Sequence, residues 1–532
     1  MQLTHLKPLR VIISLFFLVI ATLIFLDFRH EFSEGFITSF LYFQFGPSVI
    51  RMLQGIALVA TGFIIILVLT ALFGRVYCST ICPLGIFQDV ISWFSIKLRK
   101  KKRPYKHARP HNILRYSLLG LTVLFLVSGS IFLLTLLDPY SNFGRFITYF
   151  ARPGAVEANN WLASFLTGRD IYTFFPVSEP SIRWEIMVFP LLMLGLVVGL
   201  SWKNGRLYCN TVCPVGTLLG YVSKWSRYRI HIDEKSCTMC GRCNRICKSS
   251  CINFKESEID FTRCVACYNC LSICPDDAIK YSAVHRQKLS GNEPAASAET
   301  GQHADTSKRN FLLTSMAMLF GINRYSKGSD SHIPEPAQET KIPEDRDCPV
   351  VSPPGSRSID HFNSACTACT LCVGVCPTHV LQPSLFEYGI GGFLQPRMDF
   401  HSGFCNFDCT ACGEVCPTGA ILPLTRDQKH VAQIGVVKFE KENCVVYTDN
   451  TSCGACSEHC PTRACDMVPY IGELTIPEVN QDTCIGCGAC EYICPTRPYR
   501  AIYVDGNRRH EVADRPETQA VDKEVDFEEF PF

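Results

Sequence analysis

The sequence predicts an α-helical membrane domain of four transmembrane helices with a two-fold internal repeat, followed by three small α+β modules. The first 230 residues hold four apolar stretches, each near the roughly 20 residues that a helix needs to cross a bilayer core. The rest of the chain is polar and holds most of the 31 cysteines. A chain of 532 residues is long enough for several domains of this kind.

The four apolar stretches are residues 11–28, 52–73, 113–137 and 184–202. Lys and Arg in short loops are concentrated on the cytoplasmic side of membrane proteins. The densest basic segment, residues 97–103, lies between the second and third stretches, and Lys7, Arg10 and Lys203 agree with the same orientation. We therefore expect a multi-pass protein of the bacterial cytoplasmic (inner) membrane, with this basic loop in the cytoplasm.

Two similar boxes of sequence indicate the internal repeat. Residues 74–85 read Gly-Arg-Val-Tyr-Cys-Ser-Thr-Ile-Cys-Pro-Leu-Gly, and residues 205–216 read Gly-Arg-Leu-Tyr-Cys-Asn-Thr-Val-Cys-Pro-Val-Gly. Each box follows an apolar stretch, so both should lie at cytoplasmic helix ends. Two halves of the same orientation predict a symmetry axis along the membrane normal. Such an axis would bring together the four box cysteines: Cys78, Cys82, Cys209 and Cys213.

Four thiolates at one membrane face allow several roles. Soft sulfur ligands suit copper(I) or an iron–sulfur cluster better than hard cations, so the boxes are a candidate for one further metal centre; they could also engage a quinone. Alternatively, Cys-Pro ends each helix and the other cysteine packs. Arg75 and Arg206, beside the boxes, are either ordinary cytoplasmic anchors or stabilise negative charge there.

The cysteines after residue 230 occur in tight runs, such as Cys237-x2-Cys240-x2-Cys243-x3-Cys247. Such a run places several sulfurs within reach of one inorganic core and is poor geometry for separate disulfides. Structural zinc prefers two separated pairs of ligands. The runs are instead typical of bacterial dicluster ferredoxins, in which the fourth cysteine of each run ligates the other cluster. Three pairs of runs therefore predict three dicluster ferredoxin-like modules and six [4Fe-4S] clusters.

Exchange of the fourth ligands within each pair of runs assigns four cysteines to every cluster. Lys248 follows the first run where proline is usual, and residues 445–452 form an insertion between ligands of cluster 5. Cys251 and Cys465 lie just past a fourth ligand and should pack as small buried residues, whereas Cys348 receives no role. The assigned ligands are Cys237, Cys240, Cys243 and Cys274 (cluster 1); Cys264, Cys267, Cys270 and Cys247 (cluster 2); Cys366, Cys369, Cys372 and Cys416 (cluster 3); Cys405, Cys409, Cys412 and Cys376 (cluster 4); Cys444, Cys453, Cys456 and Cys494 (cluster 5); and Cys484, Cys487, Cys490 and Cys460 (cluster 6).

These features set the expected domain boundaries. Residues 1–230 form the membrane domain, 231–283 the first ferredoxin module, 284–362 a linker, 363–430 the second module, 431–510 the third, and 511–532 an acidic tail. Within the linker, residues 307–322 combine Lys308-Arg309 with a short apolar run, as in a twin-arginine export signal; a buried or amphipathic helix is the alternative. Export would place residues 330–532 in the periplasm, and otherwise all six clusters are cytoplasmic.

Composition also excludes several functions. A net charge of +2 gives no electrostatic footprint for nucleic acid. The sequence has no P-loop, no dinucleotide-binding unit and no sign of flavin, so the predicted chemistry is single-electron transfer. The natural small-molecule donor in a bilayer is a quinol. No catalytic acid or base is assigned, since His5, His30, His107 and His111 lie near helix ends and are read as interface residues.

The boxes and cysteine runs resemble a known family. Residues 1–280 resemble the membrane-bound quinol dehydrogenase ferredoxin of periplasmic nitrate reductase systems (NapH type), and the box is also similar to those of the nitrous oxide reductase regulator and the cbb3 oxidase assembly ferredoxin. Residues 307–510, with Val351-Ser-Pro-Pro-Gly355 and four clusters, resemble the periplasmic partner ferredoxin (NapG type). The chain looks like a fusion of the two. The resemblance implies electron flow from menaquinol or ubiquinol to a periplasmic reductase or cytochrome.

We therefore predict a membrane-bound polyferredoxin that transfers electrons from the quinol pool through [4Fe-4S] clusters, as an electron-transfer protein or a quinol dehydrogenase subunit. The alternative is a ferredoxin-type metal reductase or maturation factor that reduces or loads copper for a respiratory enzyme. In that alternative the boxes bind the metal and quinol is incidental.

Overall fold

The amino-terminal half is built from two copies of one helix arrangement. In the computed structural model, which describes residues 5–27, 31–55, 61–98, 105, 107, 110–177, 183–283 and 342–515, both copies end in three helices at equivalent positions. The first copy contains α1 (Leu6–Leu26), α2 (Glu34–Tyr42), α3 (Phe45–Leu53), α4 (Thr61–Phe73), α5 (Val76–Thr80) and α6 (Pro83–Leu98). The second contains α7 (Asn112–Val127), α8 (Phe132–Leu137), α9 (Pro139–Phe146), a π-helix (Ile147–Ala151), α10 (Arg152–Thr167), α11 (Trp184–Asn204), α12 (Leu207–Thr211) and α13 (Pro214–Ser223).

The two copies interlock. Helix α6 of the first copy packs against α11 of the second, and α13 of the second packs against α4 of the first. The first helix of each copy packs against the last helix of the same copy, α1 on α6 and α7 on α13. The contacts of one copy are thus repeated in the other, as expected for a two-fold internal repeat.

The expectation of four continuous membrane-spanning helices is met only in part. Within the described residues, α1 and α11 are 21 residues long and apolar enough to cross a membrane, while α4 and α7 are apolar but shorter. The predicted span 52–73 is divided between α3 and α4, with residues 56–60 outside the described part. The predicted span 113–137 is interrupted after Val127, where Gly129 has a φ of 82°. A helix cannot continue through that left-handed conformation.

The first ferredoxin module is organised by the antiparallel pair β1 (Tyr228–Ile232) and β4 (Ile279–Ala283), with α14 (Arg242–Ile246) and the hairpin β2 (Ile252–Asn253) and β3 (Glu258–Ile259) between them. The second contains α15 (Ile359–Ala365), α16 (Leu371–Val375), α17 (Ala411–Glu414), α18 (Arg426–His430) and the antiparallel pair β5 (Leu381–Pro383) and β6 (Pro396–Met398). The third contains α19 (Val445–Thr448), α20 (Ala455–Glu458), α21 (Ala489–Ile493) and the antiparallel pairs β7 (Ala432–Phe439) with β10 (Ile502–Val512) and β8 (Cys465–Pro469) with β9 (Thr475–Val479).

Residues 342–362, which we expected to belong to the linker, are part of the carboxy-terminal fold. The backbone N–H of Cys348 donates to Asp505 Oδ1 at 2.8 Å, and Gly506 N–H donates to the Cys348 carbonyl at 2.9 Å. Cys348 is therefore a buried thiol packed beside β10. The acidic tail also begins later than residue 511, because Glu511 and Val512 still pair with β7. The twin-arginine-like segment 307–322 and residues 516–532 lie outside the described residues.

The contact between residues 342–362 and His510 of β10 predicts that the stability of the fold depends on pH. Burial lowers the pKa of His510, whose Nε2 lies 2.9 Å from Ser352 Oγ, to about 4. The unfolded state takes up the proton near pH 6.5, so between about pH 6.5 and 4 it binds more protons than the folded state. The free energy of unfolding should therefore fall as the pH falls through this window, by up to about 3 kcal/mol.

Urea unfolding followed by circular dichroism at pH 7 and pH 5 measures this effect. His510→Gln should lose less stability than the wild type between the two pH values. Equal losses in both proteins would contradict the assignment to His510.

Candidate redox centres

The ferredoxin cysteines converge in groups that match exchange of the fourth ligand. Separate cavities are lined by the four cysteines assigned to cluster 1, to cluster 2, to cluster 4 and to cluster 6. In cluster 3, Cys416 lies within electrostatic range of Cys366, Cys369 and Cys372. In cluster 5, Cys444 has the same relation to Cys453 and Cys494. Cavities lined by sulfur and apolar side chains fit [4Fe-4S] clusters.

Backbone donors point at several of these sulfurs. Ala368 N–H donates to Cys366 Sγ and Ile421 N–H donates to Cys416 Sγ, each at 3.4 Å. Donors of this kind stabilise the thiolate form that ligates iron. The spare cysteines lie just behind ligands: Cys251 Sγ is buried 3.5 Å from Cys247 Sγ, and Cys465 pairs with Cys456 in the same way.

The two boxes have one shared geometry, and each box residue has a structural reason. Gly74 and Gly205 follow α4 and α11 with φ of 82° and 63°, a left-handed conformation that ends a helix and favours glycine. The box prolines are the first residues of α6 and α13, where a missing N–H costs nothing. At Gly85, a Cβ would overlap the Cys78 carbonyl oxygen, and Gly216 is equally close to Cys209.

The box arginines cross from one copy to the other. Arg206 Nη1 donates to the Cys78 carbonyl at 2.6 Å, and Arg75 Nη2 donates to the Cys209 carbonyl at 3.3 Å. Both side chains are fully buried. They are therefore not ordinary cytoplasmic anchors, which would expose the guanidinium to water. Their charges lie against the cysteine backbone, so they lower the cost of negative charge at the four sulfurs.

The box sulfurs face one another and accept hydrogen bonds. Cys82 lies within electrostatic range of Cys209 and Cys78, and Cys213 lies within range of Cys209 and Cys82. Gln88 Nε2 donates to Cys209 Sγ at 3.1 Å, Gly216 N–H donates to Cys213 Sγ at 3.3 Å, and an Arg75 N–H reaches Cys78 Sγ at 3.8 Å. The structure thus gathers all four box cysteines into one buried, donor-rich site. This chemistry fits a thiolate-bound metal centre.

An acidic centre anchors the first module to the boxes. Asp89 is buried and pairs with Arg206 Nε at 2.8 Å, Arg10 Nη1 at 3.1 Å and Lys248 Nζ at 3.4 Å. The Lys248 carbonyl also accepts from Arg206 N–H at 3.0 Å. Lys248 therefore replaces the usual proline because it docks the module onto the second box. On the first box, Arg75 Nη1 donates to the Thr262 carbonyl at 3.1 Å, and this contact brings cluster 2 to the boxes.

The box tyrosines lead away from the first module. Tyr77 Oη accepts from Phe45 N–H at 3.1 Å, and Tyr208 Oη donates to the Leu137 carbonyl at 3.2 Å. They tie the boxes to the starts of α3 and α9. Between these helices lies Asp138, fully buried, which accepts from Ser141 N–H at 2.8 Å as the N-cap of α9. This layer was not predicted from the sequence, although an aspartate before proline inside an apolar stretch is an N-cap signal.

The second module docks on α9 and α3. Arg145 Nε donates to the Ala368 carbonyl at 2.9 Å, and its Nη2 donates to the Thr367 carbonyl at 3.1 Å. Arg51 Nη2 donates to the Cys416 carbonyl at 3.1 Å. These contacts hold the ligand loop of cluster 3 against the helical domain. Tyr140, on α9, lies within electrostatic range of the cluster 3 ligands Cys369 and Cys416.

The box glycines Gly85 and Gly216 lie so close to neighbouring atoms that substitutions there are predicted to lower stability. Gly85→Ala places a methyl group against the Cys78 carbonyl and 2.7 Å from Arg206 Nη1, and Gly216→Ala places one 2.9 Å from Arg75 Nη2. We expect each to lower the free energy of unfolding by about 1–3 kcal/mol, measured by thermal unfolding in detergent. Gly120→Ala, in an open part of α7, is the matched control and should be neutral or slightly stabilising. Equal midpoints for all three variants would contradict the packing argument.

Comparison with known proteins agrees with these centres. The 4Fe-4S binding domain family matches residues 56–103 and 186–233, which hold the two boxes, and a second 4Fe-4S binding domain family matches residues 257–280. Two 4Fe-4S dicluster domain families match residues 365–421 and 451–497. No solved structure matches the chain.

Curated relatives cover parts of the chain. An uncharacterized protein of Methanocaldococcus jannaschii is 27% identical over 188 residues, which is 35% of this chain and 55% of the relative. The methylamine utilization ferredoxin-type protein MauM of Methylobacillus flagellatus is 34% identical over 150 residues, 26% of this chain and 60% of the relative. MauN of the same organism is 24% identical over 176 residues, 33% of this chain and 48% of the relative. The chain thus spans about half to three fifths of these relatives. It is homologous to MauM and MauN and is an iron–sulfur, ferredoxin-type electron-transfer protein.

Proposed function

We propose that this protein is a membrane-bound polyferredoxin that carries electrons from the quinol pool through [4Fe-4S] clusters to a periplasmic reductase or cytochrome. Six [4Fe-4S] clusters lie in the ferredoxin modules, and one further iron–sulfur centre is held by Cys78, Cys82, Cys209 and Cys213. One observation carries the proposal: the first and second ferredoxin modules contact opposite ends of the same long helices.

Helix α1 contacts a different module at each end. At its start, Lys7 Nζ donates to Ser272 Oγ of the first module at 3.1 Å, and its last turns pack against α16 of the second. At its start α11 places Phe189 5.5 Å from the Phe393 ring of the second module, whereas Arg206, just past its end, binds the first. A helix of 21 residues is about 30 Å long, which matches the thickness of a bilayer core.

The basic loop supports an orientation for this arrangement. Tyr105, within the loop region, donates its N–H to the Arg245 carbonyl of the first module at 3.1 Å. The positive-inside rule therefore favours a cytoplasmic first module. The second and third modules then lie on the periplasmic side, as the resemblance to an exported ferredoxin implies.

The residues between the modules support a conduit rather than two separate redox domains. When bound, the iron–sulfur centres supply one-electron oxidation and reduction. On one side of the boxes, Arg75 donates to the Cys209 carbonyl and lies within electrostatic range of the cluster 2 ligand Cys264. On the other side, Tyr208 lies within electrostatic range of Cys213 and Asp138, and Tyr140 within range of Asp138 and Cys369. This buried layer fills the space between the boxes and the cluster 3 ligands and excludes water from it.

One of the hydrogen bonds that differ between the two boxes predicts the electronic tuning of this centre. Gln88 donates to Cys209 Sγ, whereas the equivalent residue in the second copy is Leu219. Hydrogen bonds to cluster sulfurs are one of the determinants of reduction potential, and they stabilise the reduced, more negative state. We expect Gln88→Leu to lower the midpoint potential of one EPR signal in a redox titration and to leave the other signals unchanged. A shift in the signals of the ferredoxin clusters instead would contradict this assignment.

Proteolysis of spheroplasts tests the topology. We expect external protease to digest epitope-tagged residues 342–515 and to leave the first ferredoxin module intact until the membrane is permeabilised. Protection of the second and third modules in intact spheroplasts would overturn the transmembrane proposal. A cytoplasmic marker protein controls for lysis.

A further inference from the structure

A cavity of about 490 Å³ lies between the far end of α1 and the second ferredoxin module. One wall comes from the end of α1 and the start of α2 and includes Phe25, Asp27, Phe32 and Gly35. The opposite wall comes from α16 and α17 of the second module. The volume is within the range of about 300–1,000 Å³ that is typical of small-molecule sites.

The module side of the cavity is formed by residues that lie between cluster ligands. Leu371 directly precedes Cys372, a ligand of cluster 3, and Val375 directly precedes Cys376, a ligand of cluster 4. Ala411 and Val415 flank Cys412 and Cys416 in the same way. A molecule in this cavity would therefore contact the protein layer that covers two adjacent clusters.

The chemistry of the lining favours a lipid-soluble ring with polar groups. Most lining side chains are aromatic or aliphatic, and the acidic residues are Asp27 and Glu414. Asp27 accepts from the N–H groups of Glu31 and Phe32, each at 3.2 Å, so its carboxylate forms a polar edge of a largely apolar cavity.

Entry from the bilayer is also consistent with the surroundings. Phe36 and Leu23 lie beside the cavity residues in sequence and are 40% and 45% exposed. The Phe36 ring stacks on Phe32, with centroids 5.5 Å apart. Apolar side chains exposed at the end of a membrane-length helix face lipid rather than water.

We propose that this cavity is the site at which a prenylated quinol binds, with its ring between Phe25, Phe32 and the cluster-binding helices. The inference rests on the proposed function and adds the position of its substrate. Oxidation of one quinol to quinone breaks two O–H bonds. It releases two protons to water on the periplasmic side and two electrons, one to each of two oxidised clusters held by the second module.

Gly35 provides a direct way to fill the cavity. It lines the cavity, and a Cβ built on it meets nothing within 4 Å, so a larger side chain enters open space without a clash. Gly154, on α10, is a second exposed helical glycine with nothing within 4 Å. Gly35→Phe is therefore the blocking variant, Gly154→Phe its matched control, and Gly35→Ala a variant that leaves most of the volume open.

The experiment uses the full chain in lipid nanodiscs and a photoreactive azidoquinone, with labelled peptides mapped by mass spectrometry. We expect labelling of peptides that contain residues 24–37 and 411–415, competed by decylubiquinone. Labelling should fall about tenfold or more in Gly35→Phe and remain within about twofold of wild type in Gly154→Phe and Gly35→Ala. Iron content equal to wild type establishes that each variant is folded.

Three results would overturn the proposal: labelling confined to other peptides, labelling unchanged in Gly35→Phe, or labelling that decylubiquinone does not compete, which would indicate a lipid-filled cavity. Failure of the proposed electron conduit can be distinguished from failure of the quinol site. Failure of the conduit is measured as loss of electron transfer between the modules, and it leaves quinone labelling intact.

Discussion

Replacement of all four box cysteines with serine is expected to abolish electron transfer between the first and second ferredoxin modules. In the proposed conduit the box sulfurs connect the first module, which Arg75 holds through the Thr262 carbonyl, to the tyrosine layer beside the cluster 3 ligands, so we expect their loss to leave a gap. Proteoliposomes with an impermeant reductant outside and ferricyanide trapped inside measure the transfer directly. Iron analysis should show the loss of one centre, with the EPR signals of the ferredoxin clusters retained.

The matched control for this experiment is Cys348→Ser, since Cys348 is also a buried thiol but packs beside β10 away from the boxes. It should leave transfer and iron content unchanged. Transfer that persists at the wild-type rate in the box variant would show that the boxes are structural. Transfer that persists while a copper enzyme of the host loses its metal would favour the maturation alternative.

The second large effect is expected at Asp89. Asp89→Asn removes the carboxylate charge that pairs with Arg10, Arg206 and Lys248, and two of these cations are at least nine-tenths buried. Loss of one partner of a buried ion pair costs about 3–5 kcal/mol, because the remaining charge stays desolvated. We therefore expect a large drop in the thermal midpoint in detergent, together with easier proteolytic release of the first module, which Lys248 holds.

Asp233→Asn makes the same chemical change in an exposed pair with Lys280 and should shift the midpoint little, since exposed pairs contribute little to stability. An Asp89→Asn midpoint as high as that of Asp233→Asn would mean that Asp89 does not hold the box assembly together.

The cysteine pattern was sufficient to predict the iron–sulfur chemistry, because cluster ligation depends on local spacing. The spacing of the runs also predicted which cysteines the structure brings together, including Cys274 with Cys237 and Cys416 with Cys366. The repeat of the boxes predicted a paired arrangement of four sulfurs for the same reason. In each of these cases the signal is a local cysteine spacing that recurs in a second run or box farther along the chain.

Other features depend on contacts that leave no periodic signal in the sequence. The break at residues 128–131 separates two apolar helices that hydropathy joins into one span. The buried guanidinium of Arg206 looks like an interfacial anchor until its partners, Cys78 and Asp89, are known. Residues 342–358 have the composition of a linker, yet they are ordered by pairing with β10, which lies far along the chain. The side on which the second module docks likewise depends on Arg145 and Arg51.

The reciprocal arginines have a consequence for the origin of the fold. Arg75 completes the surroundings of Cys209, and Arg206 completes those of Cys78, so neither repeat contains a finished box of its own. A single-repeat ancestor would have needed a second copy of itself to build this centre. Because both repeats belong to one chain, equivalent positions can carry different residues, as Gln88 opposite Leu219 and Asp89 opposite Gly220 illustrate. Asp89 pairs with Lys248, so the first ferredoxin module binds through a residue that has no acidic counterpart in the second repeat.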